Sequence, residues 1–272
     1  MASRPYYDSA VHKIPALEEI REISRYKYLL LQLTRRDILA RYKRSILGVA
    51  WTMLNPLGMM IILSLVFSQL FVGVKSYPAY VLSGLVAWNF FAQSTNAAMS
   101  GLVWGGSLIQ RIYIPRTAFG ISAIGTALVN ILLSLVPLAL VMLVTHIAFH
   151  VTIIFIPISI ILLSCFSLGV GLILSTMAVY FPDVAEMYQI ILLAWFYLTP
   201  IIYPEQILPA NLHGIFVFNP MYYLVRLFRL PLLDGHLPSL GEFLPAAVFG
   251  IGILIIGWIF FTSKSDEFAY RI

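Results

Sequence analysis

Asp183 and Glu186 sit together in a polar break between two apolar stretches, where a pair of carboxylates can run acid–base chemistry, cap a helix or simply meet water. His146 and His150 offer either a metal pair or a solvated turn, and they fall where two apolar stretches must reverse, which favours the turn. Cys165 is the only cysteine and lies in an apolar run, so a disulfide within the chain is excluded and packing is its expected role. Arg226 and Arg229 are close neighbours, yet they form no recognisable reaction centre. The sequence holds no GxxxxGK[ST] phosphate loop, no H-E-x-x-H zinc site and no G-x-S-x-G elbow. The inventory therefore argues against catalysis, a bound metal or an ATP site on this chain.

The densest chemistry is cationic. Residues 35 to 48 read RRDILARYKRSILG, in which Arg35, Arg36, Arg41, Lys43 and Arg44 crowd together and Asp37 is the only acid. The stretch Ile46 to Val74 that follows carries no Asp, Glu, Lys or Arg, longer than the ~20 apolar residues that cross a bilayer. Such a junction orients a membrane span with its basic side in the cytoplasm. Ten of the 17 Lys and Arg residues lie before residue 45, so the basic balance reflects membrane flanks and gives no reason to expect a nucleic acid partner.

The elements that must position these groups are membrane helices. The chain is 60% apolar and 11% charged, far from the about 45–50% and ~25% of soluble domains. Spans are expected near Ile46–Phe71, Tyr77–Gly101, Thr117–Thr145, Val151–Ala178, Met187–Tyr203 and Phe243–Thr262. The first 45 residues lack the short apolar core of a cleavable signal, so the first span is expected to direct its own insertion. With both termini in the cytoplasm, only Lys75, Arg226 and Arg229 remain on the other side. Between the fifth and sixth spans, Gln206 to Val225 is uncharged but interrupted by Pro209 and Pro220 and preceded by Pro204. Short re-entrant helices on the outer side are expected there, because broken backbone is tolerated at membrane depth only under cover. The fold expected is an all-α integral membrane protein: six transmembrane helices, an N-terminal cytoplasmic interface helix over Tyr26–Arg44, and re-entrant helices before the last span. Residues 1–45 form the cytoplasmic segment, 46–263 a single transmembrane domain and 264–272 a cytoplasmic tail. Thr117 to Pro182 contains no Asp, Glu, Lys or Arg, which removes the buried charges that ion-coupled transporters use and points to an external motor.

The run RRDILARYKRSILGVAWTMLNPLGMMIILSLVFSQLF at 35–71 resembles the first-span signature of ABC-2 type permeases that export polysaccharides. The similarity extends to IQRIYIPR at 109–116, YFPDV at 180–184 and FNPMYYLVRLFR at 218–229. Pro182 stands before Asp183 where many members carry arginine, so no contact of that arginine is carried over. The resemblance implies the transmembrane permease of an ATP-driven exporter of lipid-linked polysaccharide, of O-antigen, capsule or teichoic-acid type, in the cytoplasmic (inner) membrane of a bacterium. It also implies a second copy of the chain and two separate nucleotide-binding subunits, on which ATP and magnesium belong. A small-molecule or drug exporter of the same type and an integral membrane glycan-processing enzyme are the alternatives.

Within that resemblance, Leu108, Ile109, Ile112 and Tyr113 are expected to form a coupling helix seated in the ATPase, with Arg111 and Arg116 as polar contacts. The element is framed by Gly105, Gly106 and Pro115. The cluster Arg35, Arg36, Arg41, Lys43 and Arg44 suits anionic membrane lipids, a partner subunit or the pyrophosphate of the glycan carrier. Tyr26, Leu29, Leu30 and Leu33 form one apolar stripe of its helix, and Leu31, Ile38 and Tyr42 another. A glycan path through the membrane is expected along Trp88, Phe90, Phe91, Trp195, Tyr197 and Tyr203, where rings slide along sugar C–H faces. Asn89, Gln93, Ser94 and Asn96 add polar groups to it.

Overall fold

A computed structural model describes Glu19, Ile23 and residues 25–43, 45–104, 115–207 and 213–271. Every regular element among the described residues is helical. The chain runs through α1 (Lys27–Tyr42), α2 (Ala50–Phe67), α3 (Tyr77–Trp104), α4 (Thr117–Val144) and α5 (Ile156–Tyr180). It continues through α6 (Val184–Leu198), two short helices α7 (His213–Val217) and α8 (Pro220–Arg229), and the long α9 (Leu240–Arg271).

Four of these segments are long and apolar enough to cross a membrane by composition alone: Ala50–Phe67, Thr117–Val144, Val151–Tyr180 and Leu240–Ser265. The other two expected spans differ for separate reasons. α3 has 28 residues and no charged group, but its apolar run is broken by Asn89, Gln93, Ser94, Thr95 and Asn96. Its polar side chains turn back on their own helix: Ser94 and Thr95 donate to Phe91 O at 3.0 and 2.8 Å, and Asn96 donates to Ala92 O at 2.9 Å. That local closure lets polar residues sit in an apolar bundle. α6 has only 15 residues because it stops at Thr199, ahead of Pro200.

The centre of the bundle is α3, packed between α4 and α5, with α9 on the far side of α5 and α2 against α3 and α4. α5 and α9 run parallel and meet backbone to backbone. A Cβ on Gly257 would lie 2.3 Å from Gly169 O, and one on Gly169 would lie 2.4 Å from Ile253 O, so only glycine permits the approach. α1 lies against α4 through Leu29, Leu30 and Leu33, the last buried beside Ala118. The second expected stripe is not used in the same way, since Leu31 is 65% exposed.

One end of the bundle gathers distant parts of the chain. Thr117 N and Oγ1 donate to Glu19 Oε1 at 3.2 and 2.9 Å, which caps α4 with a carboxylate. Arg116 donates to Ser265 O, and Tyr180 OH donates to Glu267 Oε2 at 2.5 Å. We call this the terminal end. The opposite end holds the turns at 68–76 and 145–150 and the described residues 199–207 and 213–234. His146 takes φ 54° there, while the His150 ring rests against Gly235.

Candidate functional site

The site grows from the polar residues of α3. Ala92, Gln93, Asn96, Ala97 and Ser100 recur at helical spacing, so they share one face, and they line a cavity of about 340 Å³. Alanines leave the space and the amides furnish it. Gln93 Oε1 accepts from Asn130 Nδ2 of α4 at 3.2 Å, and Asn96 Oδ1 accepts from Gln189 Nε2 of α6 at 2.6 Å. A third link joins Thr95 Oγ1 to Tyr188 OH at 2.6 Å. Uncharged amides thus bridge three helices along a groove, a surface that can exchange hydrogen bonds with hydroxyls without holding a fixed charge.

Behind that face stands an aromatic cluster. Trp195 meets Phe91, Phe166 and Trp88 with centroids at 5.2, 6.1 and 6.4 Å, and Phe196 meets Trp88 at 5.4 Å. Trp88, Phe90 and Phe91 are buried within the single chain, Asn89 and Gln93 are half-buried, and so are Trp195 and Tyr203. Tyr197 is exposed, and Tyr203 OH donates to Tyr197 O at 2.8 Å. The structure therefore brings Trp88, Phe91 and Trp195 together as packing, with Tyr197 at the edge of the cluster through Phe196 at 5.4 Å and Tyr203 beyond it toward the opposite end.

Sequence reasoning passed over Asn219, which joins α6 to α8. Its Oδ1 accepts from Trp195 Nε1 at 2.8 Å and from Met221 N at 3.1 Å, while its Nδ2 donates to Leu198 O and Thr199 Oγ1 at 3.2 and 3.1 Å. The available signal was Asn before Pro at a helix start, the composition of an N-cap.

It also passed over the use of the two outer arginines. Residues 200–203 follow α6 as a run of bends, and every carbonyl in the run is held by a side chain. Pro200 O accepts from Arg229 Nη1 at 2.6 Å and from Tyr80 OH at 3.2 Å, and Ile201 O accepts from Arg229 Nη2 at 3.0 Å. Ile202 O accepts from Tyr77 OH at 2.9 Å, and Tyr203 O from Tyr80 OH at 3.0 Å. The Arg229 guanidinium also lies 3.7 Å from the Tyr80 ring centroid and donates to Ser83 Oγ at 3.3 Å. Its seat depends on Gly84, where a Cβ would come 2.2 Å from Nη2. Arg229 is buried, and burial pushes its pKa down.

Arg226, one turn earlier, works differently. Nη1 donates to Glu205 at 2.6 Å and to Tyr222 OH at 2.8 Å, and Nε donates to Glu242 at 2.8 Å. Burial opposes its charge, but the Glu205 carboxylate and the other acceptors outweigh that and raise its pKa. Burial, then the hydrogen bond to Glu205, push the Tyr222 phenol up to about 12.

The remaining expected residues divide by position. Arg35, Arg36 and Lys43 are exposed on or beside α1, with Arg36 paired to Asp37 at 2.8 Å. The Arg41 side chain and Arg44 lie outside the described residues, as do Leu108, Ile109, Arg111, Ile112 and Tyr113. Arg116 is described, at the start of α4.

Among the described residues, a helical bundle with membrane-length apolar helices and an uncharged polar groove defines an integral membrane protein. The model of the ABC-2 type transporter family matches residues 28–233, and the chain belongs to that family. It is 28% identical over 259 residues to the O-antigen export system permease protein RfbA of Myxococcus xanthus, covering 93% of this chain and 98% of that protein. The protein of the same name from Klebsiella pneumoniae is 25% identical over 244 residues, 89% of this chain and 93% of its own. The polysialic acid transport protein KpsM of Escherichia coli is 24% identical over 241 residues, 85% and 91% of the two chains.

Proposed function

We propose that this chain is the permease subunit of an ATP-driven exporter that carries lipid-linked polysaccharide across the inner membrane. The observation that carries the reading is the near end-to-end likeness to an O-antigen export permease. The amide-lined groove on an uncharged helix is the chemistry such a cargo needs, since hydroxyls crossing lipid require a continuous protein-lined path. The path runs along Asn89, Gln93 and Asn96, backed by Trp88, Phe90, Phe91 and Trp195, and leaves past Tyr197 and Tyr203.

Six crossings fit the bundle: α2, α3, α4, α5, α6 and α9, with the terminal end in the cytoplasm. The meeting of Glu19, Arg116, Tyr180 and Glu267 at one end supports this topology, because an even number of crossings returns the chain to the side it left. α1 lies at the cytoplasmic membrane surface, where Arg35, Arg36 and Lys43 meet anionic lipid and the carrier's phosphates. α7 and α8 are the re-entrant helices of the outer side.

The chain has no phosphate loop, so ATP and magnesium reside on two nucleotide-binding subunits that join two copies of the permease. Leu108, Ile109, Arg111, Ile112, Tyr113 and Arg116 form the contact that transmits their movement. Deleting the gene and locating the polymer by fractionation and glycan staining tests the function. Lipid-linked glycan retained inside and missing from the surface is the expected result. Loss of polymer everywhere would point to synthesis, and an unchanged surface would point to another cargo.

A further inference from the structure

At the end opposite the termini, the loop after α2, the start of α3, the proline segment after α6, and α8 with its π turn enclose a cavity of about 720 Å³. The volume lies within the about 300–1,000 Å³ of small-ligand pockets. It is separate from the groove on α3, and none of the expected path residues lines it. We propose that this cavity is a sugar-binding subsite that holds an uncharged unit of the exported glycan as it reaches the outer face. The proposal rests on the export reading above.

Two observations select a hydroxyl-rich neutral ligand over an anion. The first is charge balance. Lys75, Arg226 and Arg229 line the cavity together with Glu205 and Asp234, and Glu242 closes on Arg226 from behind. Three cations thus stand against three carboxylates, and a phosphate entering beside the arginines would also meet Glu205 and Asp234. A sugar hydroxyl both donates and accepts, so it satisfies groups of either sign.

The second is preorganisation. Glu205 is fixed by Arg226 at 2.6 Å and by Tyr222 OH at 2.6 Å, and Arg229 is fixed by two carbonyls and the Tyr80 ring. Planar donors and acceptors already immobilised cost little further ordering when a ligand arrives. At the rim, Lys75 and Asp234 are exposed and make no ion pair among the described residues, so both are available to hydroxyls.

The test uses the full chain in lipid nanodiscs, probed by saturation-transfer NMR. The probe is the oligosaccharide released by mild acid from the source cell's own surface polymer. Lys75→Met and Asp234→Ala change only exposed rim groups and are checked for native melting before titration. The native chain should bind the oligosaccharide, each variant should bind it about tenfold more weakly, as expected for losing a hydrogen bond to a charged group, and inorganic pyrophosphate should not displace it. No binding to the native chain, unaltered affinity in both variants, or displacement by equimolar pyrophosphate would each overturn the proposal. Deletion of the gene separates the two readings. If deletion strips the surface of polymer while the cavity fails these tests, the subsite alone falls. If deletion leaves the surface unchanged, the export reading falls and the subsite with it.

Discussion

Asn219 shows how one side chain can tie two elements. It caps α8 and receives the Trp195 indole, so truncation removes a helix cap and strands a half-buried N–H at once. Asn219→Ala is expected to cost about 1–3 kcal/mol, read as a lower Tm in detergent. Asn219→Asp keeps the acceptor and should recover part of the loss. Gly84 and Arg229 make a stricter test, because they occupy the same space. Gly84→Ala must unseat the guanidinium and leave the Pro200 and Ile201 carbonyls without it, so its cost should approach that of Arg229→Met. Combining the two should add little to either alone, a non-additivity that a double-mutant cycle measures. The sequence showed Arg229 only as a neighbour of Arg226 and said nothing of Gly84, since a lone glycine in an apolar helix does not reveal what approaches it. The tryptophans did draw notice as ring-bearing candidates, but sequence carries no record of burial, and Trp88 is spent on packing within this chain.

At the level of elements, the positions of α3, α4 and α5 were legible to within a few residues, because uncharged runs with defined ends leave little choice. The packing partner of each was not. The parallel contact of α5 and α9 depends on Gly169 and Gly257, and these look no different in sequence from Gly252, which meets nothing within 4 Å. The distinction yields opposite signs for the same change. Gly257→Ala forces the helices apart and should destabilise by about 1–3 kcal/mol, whereas Gly252→Ala adds helix propensity in open space and should stabilise by about 0.5–1 kcal/mol. Thermal melts of the two variants beside the native chain decide it, and equal shifts would deny the close crossing. α1 was legible as a helix with two apolar stripes, but only the tertiary contact shows that Leu29, Leu30 and Leu33 are the stripe that α4 takes.

For the whole molecule, the two helices that fall short of the apolar criterion decide how many times the chain crosses. α3 spans about 42 Å at 1.5 Å per residue, enough for a hydrocarbon core of about 30 Å, and its polar groups are closed on its own backbone or on neighbours. α6 reaches only about 22 Å, so in the proposed six-crossing topology residues 200–203, a run of bends, complete its passage. That segment can lie at membrane depth because Arg229, Tyr77 and Tyr80 hold each of its four carbonyls, the cover that irregular backbone needs. The sequence displayed the prolines that break the helix but not the side chains that repair the break, since these come from more than a hundred residues earlier in the chain and from α8. Six crossings then place His150 and Leu237 outside and Asp183 inside. With Cys165 replaced by alanine, cysteines at 75, 150 and 237 should react with an impermeant maleimide in intact cells, and a cysteine at 183 only after permeabilisation. Protection at 150 with reaction at 75 would mean that α3 does not cross. Protection at 237, with 183 confirmed inside, would mean that α6 turns back within the membrane and that the clamp on residues 200–203 covers a re-entrant hairpin instead of finishing a span.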